Sequence, residues 1–156
     1  MSDASGATGR EESIVNVLFV AGFGPITRDQ TASLALYRDL LGLPLESEDD
    51  AYWHTDNVPG VKAFALWPQA QAAESCFGTD TWPPDLPIPQ AWLEFDVDDV
   101  EAASAELVGQ GYTLLIRAKT EPRGQTVTRL LGPEGLLVGL TVTPWMRAAN
   151  AVIPSP

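Results

Sequence analysis

With one histidine and one cysteine in 156 residues, the chain lacks the side chains from which thiolate and imidazole zinc clusters are built. A lone Cys76 also excludes an internal disulfide framework, and it is expected to behave as a small hydrophobe. Basic residues are scarce too, 9 against 21 acidic ones, for a net charge of −12. Nucleic-acid backbones recruit basic surfaces, so nucleic acid is not expected as a partner. The charge suits a soluble acidic protein and is compatible with a cationic ligand. No apolar run approaches the roughly 18 residues of a membrane-spanning helix, so no membrane partner is expected. Residues 1–12 are polar and lack the apolar segment of an export signal. They are expected to form a disordered tail, and the cytoplasm is the expected compartment.

What the sequence does contain is 45% apolar residues, enough to fill one core at this length. Its most informative stretch is residues 90–112. Ala91, Leu93, Phe95 and Val97 alternate with Gln90, Trp92, Glu94 and Asp96, the period-two pattern of a strand with two chemically different faces. At Asp98 the period changes, and Val100, Ala103 and Leu107 form one helical stripe. Asp98 suits the N-cap, with Glu101 three residues on, and Gly109 or Gly111 suits the stop. A strand therefore runs into a helix that covers its apolar face.

The rest of the chain repeats this plan. Residues 14–20 read as a buried strand broken by Gly22, Gly24 and Pro25. A helix follows, capped by Thr27 or Asp29, with Leu34, Tyr37 and Leu41 on one stripe and Gly42 as its stop. Strands are expected at 43–46, 51–55 and 61–67. In the second half the strand at 90–97 and the helix at 98–108 are followed by strands at 112–118, 125–131 and 136–143. Between the halves, residues 68–77 read as a short helix starting at a proline. Residues 79–89 carry four prolines in their last seven positions and read as an extended, semi-rigid linker. The fold class is α+β: two βαβββ modules in tandem, 13–67 and 90–144, joined by a helix and a proline-rich linker over 68–89. The single domain spans 13–144, and 145–156 form a C-terminal tail.

ALYRDLLGLPL (35–45), FDVDDVEAASAEL (95–107) and RLLGPEGLLVGL (129–140), in that order and spacing, resemble the vicinal oxygen chelate superfamily of glyoxalases, bleomycin-resistance proteins and extradiol dioxygenases. The resemblance implies sheets that curl into a cup with the helices outside. It also implies, for members that are enzymes, a divalent metal held in the cup by His, Glu or Gln from four strands. The matching positions here are Trp92, Gly139 and Phe64, and the first strand offers no His, Glu or Gln between Ile14 and Asp29. None of these side chains ligates a hard or borderline cation, so no metal and no cofactor is expected. Family members without metal ligands include antibiotic-sequestering proteins, acidic dimers that bind aromatic, cationic drugs. The resemblance thus implies a protein that binds a small aromatic or cationic molecule, with antibiotic sequestration as one form, and a homodimer. The alternative it leaves open is a metal-dependent or acid–base lyase, isomerase or dioxygenase.

Six residues are the candidates for ligand binding: Trp92, Glu94, Phe64, Lys62, Trp53 and His54. Trp92 either fills the cup or stacks on a planar ligand. Glu94, two residues on, is solvated at a rim, bonded to a neighbour, or reserved for a ligand. Phe64 occupies a ligand-equivalent position, and Lys62 on the same face either snorkels or pairs across the cup. His54 is the one group titrating near neutrality without help; any general-base chemistry would rest on it with Glu94 or Asp96. Arg123 and Gln125 follow a turn and either support it or reach a ligand. Trp67 and Trp82 either form a lip or pack the linker onto the body.

Overall fold

The computed structural model describes residues 15–147; the expected tail at 1–12 and most of that after 145 lie outside the described residues. One seven-stranded mixed sheet carries the fold. Its strands are β1 (Val17–Thr27), β2 (Trp53–Thr55), β3 (Phe64–Pro68), β4 (Ala91–Val97), β5 (Ile116–Thr120), β6 (Thr126–Leu131) and β7 (Leu137–Val142), in the order β2-β3-β1-β4-β7-β6-β5. Each half places its first strand parallel to its last, β1 with β3 and β4 with β7, and the halves meet where β1 pairs antiparallel with β4. The repeat legible in the sequence is thus a near two-fold arrangement about the β1–β4 seam. The expected strand at 43–46 is reduced to a single bridge between Glu46 and His54, leaving the first half one strand short.

The glycines that the sequence suggested as a break at the end of the first strand instead let it continue to Thr27. A Cβ on Gly24 would lie 2.0 Å from the Ala65 carbonyl oxygen, and one on Gly22 would lie 2.8 Å from that of Ala63. Only glycine permits β1 to run this close to the chain beside it.

Two helices cover the outer face. α1 begins at Gln30–Leu34, where Asp29 accepts from the Ala32 amide, and continues as a π-helix over Ala35–Leu40. Its Leu34 and Tyr37 pack on Phe64 and Leu66. α3 (Val100–Gly109) is capped by Asp99, one residue later than expected, and lays Val100, Ala103 and Leu107 on Phe95, Val97 and Leu140. Burial of each larger aliphatic side chain contributes about 1.5–3 kcal/mol.

α2 (Gln69–Phe77), ended by left-handed Gly78, departs from the expectation that helices lie outside. Its Ala72, Ala73 and Cys76 pack with Trp82, Trp92 and Leu137, so it closes one end of the inner face. Within the proline-rich segment Trp82 is 5% exposed, donates to the Pro87 carbonyl at 2.9 Å and meets Phe77 edge-on. The linker is packed onto the body.

β2 and β5 stand at opposite edges of the sheet, six strand spacings or roughly 29 Å apart if it were flat. Yet the Arg123 guanidinium, from the β5–β6 turn, lies 5.6 Å from the ring of Tyr52, next to β2. The sheet is therefore curled into a trough, as the cup expectation requires, without closing into a barrel.

Candidate functional site

The inner face of the trough is read off the strand register. One row runs Gly22–Glu94–Gly139–Arg129 across β1, β4, β7 and β6, and the next runs Gly24–Trp92–Leu137–Leu131. Glycines on both sides of Glu94 clear the space for its side chain. The carboxylate folds across Gly139, and Arg129 Nη2 donates to its Oε2 at 2.8 Å. Gln125 Nε2 donates to Oε1 at 3.0 Å and to Thr141 Oγ1 at 2.8 Å. Arg129 also donates through Nη1 to Ser75 Oγ at 2.8 Å and lies 4.7 Å over the Trp67 ring. With side-chain exposures of 5% and 11%, Arg129 and Glu94 form a buried ion pair whose hydrogen bonds offset its desolvation.

Trp92 is 6% exposed; its indole N–H donates to the Ala65 carbonyl at 3.2 Å, and its ring meets Trp67 edge-to-face. Tyr52 is set by the turn before β2, where Asp49 accepts from the Tyr52 and Ala51 amides and from Ser47 and Gln71. These bonds, the Tyr52 amide first, hold the Asp49 carboxyl far below its ordinary range. Burial, reinforced by the Glu94 charge, pushes the Tyr52 phenol up to about 12, so it stays a neutral hydroxyl.

The trough has two compartments, each about 870 Å³, that share Tyr52, Trp92, Glu94, Arg123 and Gln125. The first is walled by α2 and the β5–β6 turn, and five carboxylates line it against three cationic side chains. The lining thus carries an excess of formal negative charge, with Glu48, Asp49, Glu74 and Glu121 at its rim, Glu121 lying 3.8 Å from Lys119. The second runs along β1 and β2 and includes His54, Lys62 and Thr143.

Four of the six candidates lie on this trough: Trp92 and Glu94 at its centre, His54 and Lys62 in the second compartment. The other two are placed elsewhere. Phe64 is in the core beneath α1, because β3 turns Ala65 and Trp67 inward and Phe64 and Leu66 outward. Trp53 faces outward on the same logic and lies under the Arg38 guanidinium at 5.1 Å. His54 does not meet Glu94 or Asp96 through a hydrogen bond. It contacts Glu48 at 3.2 Å and stacks on Tyr52, and the same contact lowers the Glu48 carboxyl. Asp96 is fully buried, accepting from the Thr143 amide at 3.1 Å, from the Thr143 hydroxyl, and from Arg147 Nε at 2.9 Å.

Arg129 and Ser75 escaped the sequence reading. Arg129 had one available signal, a charge between Val127 and Leu131 on the inward side of a strand that is otherwise apolar there. Ser75 had none.

The donor set does not fit a divalent ion. Glu94 divides its oxygens between Arg129 and Gln125, the guanidinium repels a second cation, and Trp92, Gly22 and Gly139 bring no ligand atoms. Among the described residues no three His, Cys, Asp or Glu side chains gather elsewhere for the purpose. Nor is any described helix long and apolar enough to cross a membrane.

The family model for the glyoxalase/bleomycin resistance protein/dioxygenase superfamily matches residues 23–140. No curated protein matches the chain. Among solved structures, methylmalonyl-CoA epimerase from Mycobacterium tuberculosis is similar at 21% identity and TM-score 0.52, over 87% of this chain and 95% of that one. A structure described as NAD-dependent benzaldehyde dehydrogenase from Legionella pneumophila aligns at 10% identity and TM-score 0.54, over 78% and 96%. At these identities the likeness shows the fold alone.

Proposed function

The chain belongs to the glyoxalase/bleomycin resistance protein/dioxygenase superfamily, and from that premise we propose that it binds a small, flat, cationic molecule in the trough without a metal ion. The observation that carries this reading is the first compartment, where the half-buried Trp67 ring, backed by Arg129 and by the buried Trp92, lies among more carboxylates than cations. Flat cations are held by aromatic faces and by opposite charge together. Sequestration of a cationic aromatic antibiotic is the physiological form of such binding that the family membership favours.

An acid–base enzyme on the same scaffold finds less support. His54 is engaged by Glu48, Asp96 by Thr143 and Arg147, and Glu94 by Arg129 and Gln125, so the three groups the sequence offered for such chemistry are each held by other partners.

Tryptophan fluorescence tests the proposal. A panel of flat aromatic cations and cationic glycopeptide antibiotics is expected to quench saturably, while neutral and anionic analogues of similar size are not. Glu74→Lys reverses one exposed rim charge and is expected to weaken cation binding several-fold, with weaker dependence on salt. A panel that leaves the emission unmoved, or anions that bind as well as cations, would sink the reading.

A further inference from the structure

The two compartments are adjoining parts of the trough that meet at a waist of five shared residues, Tyr52, Trp92, Glu94, Arg123 and Gln125. Their shared residues put Trp92 and Glu94 below and the Tyr52–Arg123 contact across the top. Each chamber by itself has the volume of a single small-ligand site. A compact flat head fills only one of them.

The chambers also differ in chemistry. The first offers the Trp67 ring and a negative rim. The second spreads donors and acceptors, among them His54, Asp56 and Lys62, round the short side chain of Ala63. Over the waist, Arg123 is exposed on a turn whose Gly124 has φ +100°, and a cation–π contact at 5.6 Å ties it to the Tyr52 ring. It can lift to admit a chain and settle again over it.

We infer that the trough takes a two-part molecule, a flat aromatic cation carrying a polar arm, with the head in the first compartment, the arm in the second and the Tyr52–Arg123 contact over the link. The inference rests on the function proposed above and specifies its ligand class.

The test compares an acridinium dye with the same dye bearing a short, uncharged, hydroxylated polyether arm, both followed by dye polarisation. The armed dye is expected to bind about tenfold more tightly than the bare one. Ala63→Phe, which fills part of the second compartment, is expected to abolish that gain while leaving the bare dye's affinity as it was. Phe19→Trp, whose register partner Asp96 lies on the trough face, gives the same answer should Ala63→Phe fold poorly. Arg123→Ala also removes a positive charge from the first compartment, so the comparison is the ratio: release of the armed dye is expected to speed about tenfold relative to that of the bare one in stopped-flow. If the bare dye binds and the arm adds nothing, the two-part ligand is overturned and the proposed function stands. If the bare dye does not bind at all, the proposed function fails and takes this inference with it.

Discussion

Glu94 lies across Gly139, its neighbour in register on β7, so closely that a Cβ there would come within 2.7 Å of Glu94 Cγ. The absence of a side chain at position 139 is what gives the buried carboxylate its place. Gly139→Ala is expected to cost about 1–3 kcal/mol, because Glu94 cannot yield without disturbing its bond to Arg129. Urea unfolding measures it, and an unchanged midpoint would show that Glu94 is free to move.

The Glu94–Arg129 pair is expected to be strongly coupled. Arg129→Met leaves a buried carboxylate without its cation and should cost about 3–5 kcal/mol. Adding Glu94→Leu should restore part of that loss. A double-mutant cycle reads the coupling directly, and additive single effects would contradict the pairing.

Asp96 ties the last described turn of the chain to β4. In Asp96→Asn an amide N–H₂ group faces the Thr143 and Arg147 donors, at an expected cost of about 1–3 kcal/mol. Hydrogen exchange should quicken at the Thr143, Met146 and Arg147 amides before it does in β4. Trp145 and Met146 stand on the second compartment, so binding of an armed ligand should weaken with it.

Cys76 gives the pH prediction. Burial pushes its thiol up to about 11 from 9.0, so between those values the unfolded chain releases a proton that the folded chain keeps. The stability this group contributes is complete below pH 9 and declines as pH rises toward 11. Cys76→Ala should flatten that part of a stability-versus-pH curve. At pH 8 the thiol should react with a disulfide reagent far more slowly than free cysteine does.

The elements that alternate or repeat cleanly were legible in the sequence. Residues 90–109 show a strand and then a helix because Phe95, Val97, Val100, Ala103 and Leu107 pack together in one cluster between them. Gly22 and Gly24 misled, since a glycine required by close approach of another strand looks the same in sequence as one that ends a strand. Phe64 was matched to a cup position through the internal repeat, and with apolar residues on both faces of its strand alternation could not correct that match. The Arg129–Ser75 bond joins residues 54 apart on a strand and a linker helix, and no local pattern records such a meeting.

The seam between β1 and β4 has one more consequence, for how the molecule comes together. Pro25 and Ala91 are register partners, so this central pairing must close a loop of roughly 65 residues before it gains a single hydrogen bond. Until it forms, each half presents its first strand as a bare edge, apolar at Val17, Leu18 and Val20 on one side and at Leu93 and Phe95 on the other. The slow step of folding, and the moment of greatest exposure to misassociation, is therefore expected at the centre of the finished sheet, directly beneath the trough.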